Sequence, residues 1–259
     1  MTRIDLPLID MHTHIGHLPG VVGDVYHAED LLYIAEHEGA SYMLASSASV
    51  TTIGRAYGMA EAMEMASRYG DRLGSMLWVN PHDPDWPTDV PLAAKHGFKG
   101  IKIHPVLDHY AVTCEALDVV FACAREHNWP ILTHTGDDGT PTSASCYLPL
   151  IETYPDVVLI LAHLRLEAIP IAKRHDNVYL DTTYVDPMRV ELGVDALGAD
   201  KILFGSDACE GFEVGRTPGR IRPHRSYASI IDSYRQRGLS DVILEKLLYT
   251  NAKGVFHLP

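Results

Sequence analysis

Eight short, continuously apolar runs that recur about every 28 residues constrain this chain more than any other feature. They read LPLIDMHTH (6–14), SYMLASS (41–47), LGSMLWVN (73–80), KGIKIHP (99–105), WPILTHTG (129–136), VVLILAHL (157–164), NVYLDTTY (177–184) and KILFGSDA (201–208). Most are too short for helices and too uniformly apolar for strands with one wet face. They fit parallel strands buried on both sides. Helical patterns lie between them. AEDLLYIAEHEG stops at Gly39 and AYGMAEAMEMASRYG at Gly70, as glycine stops helices. TCEALDVVFACAREHN begins at a capping threonine, Thr113, with Glu115 behind it. PHRSYASIIDSYRQRG and SDVILEKLLYTNAKGVF supply the last helices, while 145–154 and 165–175 predict only short, proline-interrupted ones. The alternation predicts an α/β protein, a closed (β/α)8 TIM barrel, as a single domain over 1–259. A doubly wound open sheet is the runner-up, without support: no GxGxxG follows the first strand and no GxxxxGK[ST] occurs.

Composition agrees with one large core, at 46% apolar and 21% charged residues. The net charge of −13 argues against nucleic acid or an anionic membrane as partner and leaves a small-molecule substrate. No apolar run is long enough to span a bilayer, and the N-terminus lacks a signal peptide's apolar stretch, so a cytoplasmic location is expected. Cys114, Cys123, Cys146 and Cys209 show no CxxC spacing and read as reduced thiols.

The chemistry lies in where the 15 histidines fall. Side chains alternate along a strand, so His12 and His14 share a face at the C-terminal end of the first run. His104, His134, His163 and Asp207 end the fourth, fifth, sixth and eighth runs. Barrel active sites sit at that rim, and closure brings strand eight beside strand one, and Asp207 beside His12 and His14. His12, His14, His134 and Asp207 could therefore hold one divalent ion and leave a position for water. Zinc suits these donors best, and manganese, iron, cobalt or nickel also fit. Asp207 could take the water's proton, while His163 orients the water or stabilises charge on a substrate oxygen.

In order along the chain, DMHTHIG, KGIKIHP, ILTHTG, LILAHL, VYLDTT and ILFGSDA resemble the amidohydrolase superfamily, in particular its amidohydrolase-2 branch of TIM-barrel metal-dependent hydrolases. The resemblance runs over essentially the whole chain. It implies that His12, His14 and His134 are metal ligands, that Asp207 binds or flanks the metal and moves protons, and that His163 activates water or holds a second metal. It favours one ion over two and implies a possible homodimer. Many relatives carry an accessory β-sandwich domain; with the first strand starting near residue 6, none is expected here. Lys102, in phase with His104, matches the strand where binuclear relatives place a carboxylated lysine, but an inward lysine paired with a carboxylate fits better. Lys102 and His104 are expected to contact substrate. The implied activity is hydrolysis of an amide, lactone or ester by metal-activated water, with non-oxidative decarboxylation of a small carboxylic acid as the alternative.

Further expectations follow from position. Asp10, in phase with His12 but deeper, reads as a buried hydrogen-bond anchor. Asp181 either supports a ligand or is a satisfied core carboxylate. Arg216, Arg220, Arg222 and Arg225 could grip a substrate carboxylate, and His17, His82, Trp86 and Tyr184 could line the pocket. Met59, Met63 and Met65 read as packing.

Overall fold

The computed structural model describes residues 5–18, 25–112, 115–209, 212 and 226–258. Eight parallel strands form the frame: β1 (Ile9–His17), β2 (Tyr42–Ser47), β3 (Leu73–Ser75, continued by Leu77–Trp78), β4 (Ile101–Ile103), β5 (Ile131–Thr133), β6 (Leu159–Leu161), β7 (Val178–Asp181) and β8 (Ile202–Leu203). A two-residue strand, Val25–Tyr26, adds antiparallel to the end of β1. β3 changes partner at Met76: its first half pairs with β2 and its second with β4, while Met76 N donates to Ala45 O at 2.8 Å. The cylinder closes between β8 and β1, where Met11 N donates to Phe204 O at 3.1 Å and Asp207 N to His12 O at 2.8 Å. Thr13 and Ala208 form a parallel bridge there. The expected barrel is thus the observed one.

Helices lie outside in the expected places. Ala28–Glu38 ends on Gly39, whose φ of 90° is the left-handed stop that only glycine adopts cheaply. Ala116–His127 starts two residues later than a Thr113 cap would give, with Glu115 at the cap position; Thr113 lies outside the described residues. The two weak links hold the short helices Leu148–Thr153 and Ala168–Arg174. Among the described residues no helix is long and apolar enough to cross a membrane.

Two apolar clusters hold the frame. The larger lies between strands and helices and takes Ile101, Ile103, Ile131, Leu159, Leu161, Leu180 and Phe204, with Met59 and Met65 from the helical layer and Met63 packed against it. The smaller threads the barrel: Ile9, Met11, Leu44, Met76, Leu132, Ile160 and Leu203, closed below by Ala252 of the C-terminal helix and by Phe256 and Leu258 just after it. Each such side chain contributes about 1.5–3 kcal/mol by leaving water. Along β5 and β8 the inward positions therefore change from apolar at the bottom to polar at the rim.

One irregularity matters for the site. Between Asp10 and Thr13, β1 holds one residue more than β2 opposite it. Met11 and His12 both turn inward in consequence, and Asp10 turns outward. Asp10 accepts from Tyr227 Oη (2.7 Å), Ser206 N (3.0 Å) and Ser206 Oγ. It is the anchor that was expected, but it is not in phase with His12. Burial pushes its carboxyl up to about 6, against the pull of Ser206 and Tyr227.

Candidate metal centre

The inward positions at the tops of β1, β3, β4, β5 and β8 place His12, His14, Trp78, His104, His134 and Asp207 around a cavity of about 250 Å³. Backbone turns aim several rim residues. His163, Tyr184 and Asp207 follow β6, β7 and β8 with left-handed φ of 71°, 53° and 64°. A non-glycine residue held there costs of order 1–3 kcal/mol, and such strain concentrates at functional sites. Gly205 makes room: a Cβ there would lie 2.7 Å from His12 Cβ and 2.5 Å from Thr183 Oγ1.

His12, His14 and Asp207 each present one donor atom, all within 4.8 Å of one another. Asp207 Oδ1 stands 3.0 Å from His14 Nε2 and 3.5 Å from His12 Nε2. Ligands 2.0–2.1 Å from a tetrahedral ion stand about 3.4 Å apart, so the spacing suits one divalent cation. The imidazoles' other nitrogens are tied back. His12 Nδ1 lies 2.7 Å from Asp181 Oδ2 and 3.0 Å from Thr183 Oγ1; His14 Nδ1 lies 3.0 Å from Ser46 Oγ. These three residues could hold a divalent metal. Burial opposes ionisation of Asp207, but the hydrogen bond and charge of His14, then His12 and Lys102, hold its carboxyl well below the usual carboxylate range. Asp181 behaves alike: burial is outweighed by His12 and the His163 amide, bringing it down to about 2.

His134 shares the cavity but stands outside this trio. Its Nδ1 lies 2.9 Å from His163 Nε2. His163 Nδ1 faces the Thr183 carbonyl at 3.0 Å, which can only accept. A neutral His163 thus carries its proton on Nδ1, its Nε2 accepts from His134 Nδ1–H, and His134 keeps a lone pair on Nε2. His163 lines the cavity too, but both its ring nitrogens are engaged by Thr183 and His134. Burial, then the neighbouring His163, drops His134 to about 2; burial, then Lys102, drops His12 to about 4. His104 is pushed lower still by burial and by His134. It is stacked between His134 (4.1 Å, 13°) and Trp78 (5.7 Å, 6°) and makes a flat cavity wall. The Leu107 amide donates to His104 Nδ1, leaving Nε2–H as donor.

Lys102 is fully buried and reaches inward, but among the described residues it meets no carboxylate within ion-pair distance: its Nζ lies 2.8 Å from His12 Nε2. The expected lysine–carboxylate pair is thus replaced by a lysine–imidazole contact. Burial lowers Lys102 to about 8, against the pull of Asp207, Asp181 and Asp108. Of the loop residues, Tyr184 lines the cavity; His17, His82 and Trp86 do not. Arg216, Arg220, Arg222 and Arg225 lie outside the described residues. Trp78 went unnoticed in the sequence, although it stands at a strand end just as the histidines do.

A closed (β/α)8 barrel whose upper rim gathers two imidazoles and a carboxylate at cation spacing defines the class: a barrel able to carry a metal at the mouth of its strands. The chain belongs to the amidohydrolase family, whose Amidohydro_2 model matches residues 9–258. No curated protein matches it in sequence. In structure it is similar to 5-carboxyvanillate decarboxylase from Sphingomonas paucimobilis (12% identity, TM-score 0.74, covering 98% of this chain and 100% of that one). It is also similar to the manganese-bound 5-carboxyvanillate decarboxylase from Novosphingobium aromaticivorans (14%, 0.73, 98% of each chain). A probable 2-pyrone-4,6-dicarboxylic acid hydrolase from Acinetobacter baumannii matches at 13% identity and TM-score 0.68 (97% of this chain, 100% of that one). At these identities the likeness is one of fold. The family is one of enzymes, and the structurally similar proteins named here are two decarboxylases and a probable hydrolase.

Proposed function

We propose that the chain is a metal-dependent hydrolase that opens a C–N or C–O bond (amide, lactone or ester) of a small molecule. The observation that carries this reading is the convergence of His12 Nε2, His14 Nε2 and Asp207 Oδ1 at the cavity floor. A divalent ion held there, zinc by donor chemistry, supplies Lewis acidity and lowers the pKa of water toward ~7. Asp207, ionised throughout the physiological range, would accept a proton from the attacking water and pass it to the leaving group. His134 would offer its Nε2 lone pair as a further donor to the ion, and His163 fixes the tautomer that leaves this lone pair free of a proton. His104 and Trp78 bind the substrate's flat face, and His104 Nε2–H meets an acceptor on it. Lys102, buried beside His12 Nε2, would attract a substrate anion.

Decarboxylation is the second reading. It is favoured by the two structurally similar decarboxylases and by the flat aromatic wall, which suits a conjugated carboxylic acid. Zinc- or manganese-loaded protein, incubated in ¹⁸O-water with small lactones, amides and carboxylic acids, separates the two. Hydrolysis leaves one solvent oxygen in the product. Release of carbon dioxide without solvent oxygen in the organic product replaces hydrolysis with decarboxylation.

A further inference from the structure

We infer that Asp181 is a positioning residue that makes His12 a metal ligand by dictating which ring nitrogen carries the proton. The inference rests on the metal reading above and goes beyond it, because Asp181 faces the cavity only through other residues.

Asp181 ends β7 and is fully buried. Its two oxygens divide the work. Oδ1 accepts from two backbone amides, His163 N at 2.7 Å and Thr183 N at 3.1 Å. Oδ2 faces His12 Nδ1 at 2.7 Å and accepts from Thr183 Oγ1 at 3.2 Å. A carboxylate can only accept, so His12 Nδ1 must carry the hydrogen and Nε2 keeps its lone pair, on the side where Lys102 Nζ stands at 2.8 Å and Asp207 Oδ1 at 3.5 Å. The same carboxylate holds the amide of His163, whose ring sets the tautomer of His134. Two rim histidines therefore share one anchor. Ser46, the partner of His14 Nδ1, differs: its hydroxyl donates or accepts and imposes no tautomer.

The asymmetry makes Asp181→Asn an informative isostere. The two amides facing Oδ1 cannot turn, so the asparagine carbonyl must take that side and the NH2 must face His12 Nδ1. Both would then be donors whenever Nε2 is free to bind a metal. Either His12 moves its proton to Nε2 and loses its lone pair, or a buried N–H is left unmatched. Shape and backbone hydrogen bonds are kept, so the variant folds, whereas Asp181→Ala would also release His163.

The test measures the affinity of metal-stripped wild type and D181N for Zn²⁺ and Mn²⁺ by competition with a chelator. Binding weaker by about 10–100-fold in D181N is expected, the usual effect of losing a carboxylate behind a ligating histidine. Ser46→Ala should show a smaller loss. Equal affinity in wild type and D181N overturns the inference. Nitrogen-15 shifts of the His12 ring in the metal-free proteins examine the same claim without the ion. Nδ1 protonated and Nε2 bare in wild type, with that pattern lost in D181N, supports it; a bare Nδ1 in wild type overturns it. If the wild type binds neither ion, the metal reading fails while the ring shifts still judge Asp181.

Discussion

Lys102→Met should stabilise the metal-free protein at neutral pH, although it removes a side chain from the site. The Lys102 ammonium is fully buried, and burial brings it from 10.5 to about 8 despite Asp207, Asp181 and Asp108. Holding that charge in the folded state costs about 3 kcal/mol, at 1.36 kcal/mol per pH unit. Methionine fills nearly the same volume without charge. The His12 Nε2 contact that is lost opens on the cavity, where water can replace it. A gain of about 3 kcal/mol corresponds to roughly 6–12 °C in Tm for a chain of this size. The pH dependence fixes the cause. Below pH 8 lysine is protonated in both folded and unfolded states, so the cost is present in full. Between 8 and 10.5 the unfolded chain binds more protons than the folded one, wild-type stability rises, and the advantage of K102M fades. Calorimetry after metal stripping, at pH 7 and pH 10, should show a large Tm difference that shrinks at the higher pH. A K102M variant no more stable than wild type at pH 7, or an advantage that persists undiminished at pH 10, would refute the reasoning.

The metal-free protein should also be acid-labile. His12, His134 and His104 sit near or below about 4 when folded against 6.5 when unfolded, so between pH 6.5 and 4 the unfolded chain binds about three more protons. Stability then falls by up to about 4 kcal/mol per pH unit, readable from urea midpoints; a flat profile contradicts the buried neutral imidazoles. Asp181, lowered to about 2, adds stability above pH 3.8 that is lost as pH drops toward 2. By elemental analysis after desalting, His12→Ala and His14→Ala should lose the metal, and His134→Ala should lose less of it, because its nitrogens stand outside the trio. Equal retention in all three would remove the ligand set. Asp207→Asn should reduce turnover at least a hundredfold, in line with the loss of a general base, while Tm changes little; wild-type rates would end its proton-accepting role.

Much of the frame could be read from the chain because a strand buried on both faces leaves an unbroken apolar run, and the rim because a polar residue that ends such a run has few other uses. His12, His14, His134, His163 and Asp207 surfaced that way. The alternation rule failed where the backbone departs from regular pairing. Asp10 shares the parity of His12 in the sequence but not in the barrel, since the extra residue in β1 is invisible to a period of two. Local spacing gave His163 a free hand at the cavity, but its ring is committed to Thr183 and His134, a partnership across three strand ends. Asp181 left its role undecided for the same reason: its partners lie 169 residues back and 18 residues back along the chain.

The surplus residue in β1 also sets how much change the HxH segment can bear. With Met11 and His12 turned to the same side, a thioether floor lies directly under the first imidazole, and the lettering HTH no longer fixes where the rings go. Ordinary pleating of the same residues from Ile9 onward would swing both imidazoles toward the outer helices, with every hallmark of the motif still spelled out, whereas removing Met11 would restore ordinary pleating and keep both turned inward. What turns the two rings of this chain into the barrel is the pairing of β1 with β2, in which one residue goes unmatched, and not the spelling of the motif.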